Sequence, residues 1–111
     1  MSSRPAVIYV DVDDTLVRSA GSKRIPMPAT VKLVRELHDH GAALYLWSRG
    51  GAAYAREVAE ELGIAQCFAA FLPKPELLLD DASVEHWSAV ELHPAECHGI
   101  TVEEVLARIK R

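Results

Sequence analysis

Short apolar runs alternate with segments of helical periodicity along the whole chain, and this alternation restricts the fold more than any other feature. Five runs are typical of strands, at residues 6–10, 42–47, 69–72, 77–79 and 89–92. The first is β-branched and continuously apolar, which predicts a strand buried on both faces. Together the runs predict a single α/β domain, residues 1–111, with a mainly parallel five-stranded sheet and helices on both faces.

Residues typical of helix starts and helix ends predict three helices between and after these strands. The first begins near Pro28 and stops at Gly41, and the second covers residues 52–62 and closes at the following glycine. Thr101 and Glu104 form a capping-box pattern at the start of the last helix. The chain therefore has enough amphipathic helix to cover a sheet.

Composition narrows the classes of partner. The 111 residues are 50% hydrophobic with a formal net charge of -4, so one packed core is expected and nucleic acid is not indicated as a partner. No run is long enough to span a bilayer, and the N-terminus lacks a signal-peptide pattern, so we expect a cytoplasmic protein without a membrane partner. Cys67 and Cys97 fit free thiols, with one disulfide as the alternative.

Most of the candidate catalytic and ligand-binding residues directly follow the predicted strands. In open α/β sheets, ligands bind beyond the carboxyl ends of the strands. A single acid at such a place is most simply a turn or cap residue, but here the polar residues recur after four successive strands. They are Asp11, Asp13, Asp14 and Thr15 after the first, Ser48 and Arg49 after the second, Lys74 after the third, and Asp80 and Asp81 after the fourth.

Such a set predicts a magnesium and phosphate site. Clustered carboxylates repel one another, and a hard divalent cation such as Mg²⁺ removes that repulsion. Lys74 adds a second positive charge. The Ser48 hydroxyl and the backbone N–H groups at Arg49 and Gly50, which enter a helix, are suited to phosphoryl oxygens.

Four motifs in this order resemble the haloacid dehalogenase (HAD) superfamily. They are Asp11-Val12-Asp13-Asp14-Thr15 after a hydrophobic strand, Leu44-Tyr45-Leu46-Trp47-Ser48, Lys74-Pro75, and Leu77-Leu78-Leu79-Asp80-Asp81. The resemblance implies a three-layer, doubly wound, Rossmann-like (HAD-like) fold. It also implies a phosphatase that works through an aspartyl-phosphate intermediate. The aspartate at position 13 favours this reaction over the dehalogenase and energy-coupling members of the superfamily.

The resemblance also implies a role for each motif residue. Asp11 would be the nucleophile and Asp13 the general acid and base. Ser48, Arg49 and Lys74 would bind the phosphoryl group, and Lys74 would also position Asp11. The Mg²⁺ ligands would be Asp11, the backbone carbonyl of Asp13, Asp80 and Asp81, with Thr15 orienting the first loop. Many relatives have a further aspartate four residues after the metal acid, where this chain has Glu85, so the role of Glu85 stays open.

The chain has no room for the cap domain that closes the site in many HAD proteins. We therefore expect an open site whose phosphorylated substrate is a macromolecule or a bulky metabolite, or a homo-oligomer in which a neighbouring subunit closes the site. Arg18 and Arg24 follow the first motif and are predicted substrate contacts; the alternative is a solvated surface loop.

Two other functions remain open. One is a HAD-like binding module without activity. The other is a receiver-like phospho-acceptor domain, although receivers place the phosphorylated aspartate after a later strand, whereas here the later acids follow Lys74.

Overall fold

The computed structural model describes residues 4–87 and 89–109 as an α/β fold. The described strands and α-helices, in chain order, are β1 (Val7–Asp11), β2 (Val17–Ala20), β3 (Lys23–Pro26), α1 (Pro28–Asp39), β4 (Ala43–Ser48), α2 (Ala52–Glu61), β5 (Phe68–Pro73) and α3 (Val102–Arg108). Short 3-10 helices lie at Ala65–Cys67, Val84–His86 and Pro94–Cys97. No helix in the described ranges is long and apolar enough to cross a membrane.

Three parallel strands form the main sheet, in the order β1-β4-β5. The register pairs Asp11 with Trp47 and Ser48 with Pro73. The carboxyl ends of all three strands therefore meet at one edge of the sheet. The parallel α/β arrangement predicted from the sequence is confirmed for these three strands.

The core lies on one face of this sheet, between the strands and the first two helices. Alternate residues of the strands point into it because successive side chains in a strand face opposite sides. Its buried members include Val10, Leu44 and Leu46 from the sheet, Leu33, Val34 and Leu37 from α1, and Ala55, Val58 and Ala59 from α2. The apolar stripes that predicted the helices thus face the core.

The opposite face of the sheet is only partly covered. Val7 is 64% and Tyr9 46% exposed, and Tyr9 packs against Tyr45 and Trp47 with ring centroids 5.2 and 4.8 Å apart. The prediction that β1 is buried on both faces is therefore wrong, and the described helices do not form the predicted third layer. A continuous apolar run did not reveal this, because tyrosine and tryptophan also suit half-exposed positions.

The predicted fourth strand is absent from the described structure. Residues 77–79 form no strand, and Leu77 and Leu79 are 79% and 97% exposed. The reason is one of chain length: a parallel neighbour needs a crossover of about a dozen residues, whereas only residues 73–76 separate the third and fourth predicted strands. Residues 89–92 likewise form no strand, although Leu92 packs on the core. The five-stranded prediction is thus replaced by three strands in this sheet.

The polar stretch after β1 forms a β-hairpin that was not predicted. Strands β2 and β3 pair antiparallel around a two-residue Gly21-Ser22 turn, in which Gly21 has φ +64°. Glycine suits this conformation because it has no Cβ. A two-residue turn of this composition is a hairpin signal, but half of the flanking strand residues are polar and they lack the alternation of apolar and polar residues that is typical of a strand.

The predicted helix ends and the free thiols are confirmed. Gly41 follows α1 with φ +87°, the left-handed conformation expected at a helix stop. The Thr101 hydroxyl accepts from the Glu104 N–H at 3.1 Å, and the Thr101 N–H donates to the Glu104 carboxylate at 3.2 Å. Cys67 and Cys97 are both buried and unbridged.

Candidate functional site

The carboxyl edge of the sheet brings together a carboxylate and an ammonium group. Lys74 Nζ lies 3.6 Å from Asp11 Oδ1, and the two side chains are 32% and 34% exposed. The backbone holds this pair in place, because the Lys74 N–H donates to the Ser48 carbonyl at 2.9 Å. Asp11, Ser48 and Lys74 are therefore neighbours, as the sequence predicted.

A tight loop after β1 presents Asp13 at the surface. The Val12 carbonyl accepts from the N–H groups of Leu16, at 2.9 Å, and of Val17, at 3.3 Å. Because Val12 and Leu16 are fully buried, they anchor the loop while Asp13 stays exposed. Asp14 has φ +59°, a left-handed conformation that aspartate adopts more readily than most residues.

Thr15 contacts the predicted nucleophile. Its hydroxyl donates to Asp11 Oδ2 at 3.4 Å, a long hydrogen bond. Lys74 approaches the other carboxylate oxygen of Asp11. Thr15 and Lys74 thus each contact one carboxylate oxygen of Asp11, and the orienting role of Thr15 stays a prediction.

The loop between β4 and α2 is stabilised by Ser48. The Ser48 hydroxyl accepts from the Gly50 N–H at 3.0 Å, and its carbonyl accepts from the Gly51 N–H at 3.0 Å. Ser48 is only 1% exposed, so its first task is to shape the loop, and direct contact with phosphate stays a prediction. Arg49 is exposed on this loop, beside the start of α2.

Tyr54, in the first turn of α2, contacts the predicted acid and base. Its hydroxyl donates to Asp13 Oδ1 at 2.7 Å. The pKa of Tyr54 is raised above its ordinary value, first by desolvation and then by the hydrogen bond to the Asp13 carboxylate. Sequence reasoning missed Tyr54. The available signal was an aromatic residue just after Gly50-Gly51, in a helix turn otherwise made of alanines.

The two predicted substrate-binding arginines lie on the hairpin. Arg18 is exposed on β2. Arg24, on β3, forms an ion pair and hydrogen bonds with Glu61, which raise the pKa of the guanidinium and lower that of the Glu61 carboxyl. It also lies 3.6 Å from Glu57. Arg24 therefore ties the hairpin to α2, and its contact with substrate stays a prediction.

The predicted magnesium ligands do not converge. Asp80 and Asp81 are exposed, and Asp80 Oδ1 accepts from the Ala82 N–H at 2.9 Å within its own turn. Within residues 4–87 and 89–109, no group of three or more His, Cys, Asp or Glu side chains could hold a metal ion. Because no strand at residues 77–79 carries the acidic pair to the sheet edge, the donor set in this arrangement does not fit Mg²⁺.

The fold and the site define an α/β protein with a carboxylate, an ammonium group and a glycine-rich loop at the carboxyl edge of a parallel sheet. The chain belongs to the family described as "Protein of unknown function (DUF705)", whose profile matches residues 1–75. The matched segment includes Asp11, Asp13, Ser48 and Lys74 and ends before the acidic pair. No curated protein and no solved structure matches the chain.

Proposed function

We propose that this protein is a HAD-type phosphatase that hydrolyses phosphate monoesters through an aspartyl-phosphate on Asp11. The observation that carries the proposal is the 3.6 Å contact between Lys74 Nζ and Asp11 Oδ1 at the carboxyl edge of the sheet. A phosphate dianion would be repelled by an isolated carboxylate. A lysine beside that carboxylate offsets the repulsion and holds the nucleophile in place.

The neighbouring groups support the same chemistry. The Ser48-Gly51 turn leads directly into α2, and N–H groups at the start of a helix favour anions. Asp13 lies two residues after Asp11 on an anchored loop and is accessible to solvent, as a group that exchanges protons with a substrate and with water must be.

The reaction has two steps. In the first, an Asp11 carboxylate oxygen attacks phosphorus, the ester P–O bond breaks, and Asp13 donates a proton to the leaving oxygen. In the second, the Asp13 carboxylate accepts a proton from water as that water attacks phosphorus. The bond from phosphorus to Asp11 breaks, inorganic phosphate leaves, and Asp13 is protonated again.

For the fold, we propose a HAD-like domain without a cap domain. The three-stranded order β1-β4-β5, with motif residues at the end of each strand, supports it. The open site that a capless chain leaves favours a phosphorylated macromolecule or bulky metabolite as substrate.

Magnesium dependence stays a prediction, and no step above is assigned to the metal, because the described residues bring together no group of three or more possible metal ligands. If Mg²⁺ is required, Asp81→Asn should raise the Mg²⁺ concentration needed for half-maximal rate, whereas Asp39→Asn, an exposed position at the end of α1, should not. Full activity of the wild type in excess chelator would refute the magnesium prediction alone.

The decisive experiment is hydrolysis of 4-nitrophenyl phosphate, with and without Mg²⁺, by the wild type and by Asp11→Asn. Loss of turnover in Asp11→Asn is expected, because the amide is a poor nucleophile. The matched control is Asp14→Asn in the same loop, where asparagine also tolerates the left-handed backbone. Equal rates for wild type and Asp11→Asn, with excess metal and a broad panel of phosphate esters, would refute the proposal.

One observation favours a second function, the HAD-like binding module. Among the described residues, Asp80 and Asp81 form no metal-ligand group with Asp11, as in a protein that binds phosphate without turning it over. Phosphate binding that depends on Lys74, in the absence of any turnover, would identify this function.

A further inference from the structure

Tyr54 connects three parts of the site. Its hydroxyl donates to Asp13 Oδ1 at 2.7 Å, and its ring packs against the core. On the loop side, the ring lies so close to Gly50 that a Cβ on Gly50 would be 2.8 Å from Tyr54 Cδ2. The phenol therefore has a fixed position between the Ser48-Gly51 turn and the loop of Asp13.

Arg24 also contacts the Tyr54 ring. Its guanidinium carbon lies 5.4 Å from the centroid of the Tyr54 ring, within cation–π range. The guanidinium is in turn fixed by Glu57 and Glu61 of the same helix. Arg24 thus links the hairpin to Tyr54 and braces its ring.

Among residues 4–87 and 89–109, the Asp13 carboxylate has one hydrogen-bond partner, the Tyr54 hydroxyl. It is exposed at the tip of its loop, and a short polar side chain in that setting changes rotamer readily. A hydrogen bond to a fixed phenol selects one rotamer. Because the phenol occupies Oδ1, Oδ2 is the oxygen left to carry the transferred proton.

We propose that Tyr54, braced by Arg24, is a positioning residue that holds Asp13 in the rotamer from which it protonates the leaving group. This inference rests on the proposed phosphatase function. It assigns Tyr54 no contact with substrate and no bond made or broken. Its effect on the rate passes through the two proton transfers of Asp13: the proton that Asp13 donates to the ester oxygen in the first step, and the proton that it accepts from water in the second.

The dependence of the rate on the leaving group distinguishes a positioning role of Tyr54 from a merely structural one. A 4-nitrophenolate leaves readily without protonation, whereas benzyl alcohol must be protonated as it leaves from benzyl phosphate. Tyr54→Phe keeps the ring and removes only the hydroxyl. Because kcat/KM reports only the steps up to departure of the leaving group, we expect kcat/KM to fall about tenfold or more on benzyl phosphate, as for loss of a hydrogen bond to a charged group, and about threefold or less on 4-nitrophenyl phosphate. Tyr45→Phe, on β4, is the matched control and should change neither rate.

A double-mutant cycle tests whether the effect passes through Asp13. In the Asp13→Asn background, Tyr54→Phe should have no further effect. Equal falls in kcat/KM on both substrates, no change in kcat/KM, an increase in kcat/KM, or an undiminished effect in the Asp13→Asn background would each refute the positioning role while leaving the phosphatase proposal standing. A wild type that hydrolyses neither substrate would refute both.

Discussion

Replacing Lys74 by methionine should separate the role of this residue in binding from its role in stability. Methionine keeps an unbranched side chain of similar length and removes the charge. At 3.6 Å from Asp11 Oδ1, the gross attraction at an effective dielectric constant of about 20 is about 4–5 kcal/mol. Because both side chains are about one-third exposed, hydration offsets most of this, and exposed pairs contribute only about 0.2–1 kcal/mol net.

The same substitution should affect phosphate binding far more than it affects stability. Lys74 Nζ also lies 5.9 Å from the Trp47 ring centroid, a contact worth at most about 1 kcal/mol at an exposed site, so Tm should fall by only a few degrees. Loss of a charge-assisted hydrogen bond to phosphate costs about 1.5–3 kcal/mol. Affinity should therefore fall about 10- to 150-fold.

Isothermal titration calorimetry with inorganic phosphate, alongside thermal denaturation, measures both quantities on one sample. Lys32→Met, at an exposed position on α1, is the matched control and should bind phosphate like the wild type. Unchanged phosphate affinity in Lys74→Met would show that the ammonium does not face the anion. A loss of stability above about 3 kcal/mol would instead make the ion pair structural, and either result would refute this account of the site.

Three further predictions follow from the same contacts. Gly50→Ala, whose Cβ would lie 2.8 Å from Tyr54 Cδ2, should displace the ring and lower turnover of benzyl phosphate at least as much as Tyr54→Phe; wild-type turnover would mean that the ring has room to move. Leu46→Ala, at a fully buried position of the central strand, should lower the free energy of unfolding by about 2–5 kcal/mol in urea titrations, and a change below about 1 kcal/mol would contradict the assigned core. Burial raises the pKa of the Cys67 and Cys97 thiols, so iodoacetamide at pH 8 should alkylate both slowly until urea is added. Since the fold favours the neutral thiols, their contribution to stability is complete below the ordinary thiol pKa and is lost as the pH rises through the raised folded values; rapid alkylation of the native protein would count against this.

The parts of the fold that depend on local pattern could be predicted from the sequence. A glycine in the left-handed conformation after α1, the capping box at Thr101, and the apolar stripes of the helices are all signals within a few residues of one another. The meeting of Asp11, Ser48 and Lys74 also followed, because parallel strands align their carboxyl ends at one edge. The position of these three residues can therefore be predicted from the strands and their direction alone.

Contacts made by side chains across the site were less accessible to sequence reasoning. Tyr54 reaches Asp13 across 41 positions of sequence, and nothing in the periodicity of α2 marks it, because it lies just beside the buried stripe of Ala55 and Val58. The hairpin that the Gly21-Ser22 turn creates likewise carries Arg24 to Glu61, and no pattern near Arg24 marks this contact. Both contacts join side chains that are distant in sequence.

The position of the acidic pair depends on a different feature, which bears on function. Asp80 and Asp81 would reach the sheet edge only at the end of a parallel strand at residues 77–79, and a four-residue connection cannot make that crossover. In the described residues β1 has one strand neighbour, β4, and the three leucines before the acidic pair are exposed. The proposed phosphate-binding part of the site therefore depends on the order of the sheet, whereas the predicted metal-binding part depends on where the segment after Lys74 packs. A phosphatase that requires Mg²⁺ would need that segment to approach β1 by a route other than a parallel crossover, so metal dependence and phosphate binding are separate questions in this chain.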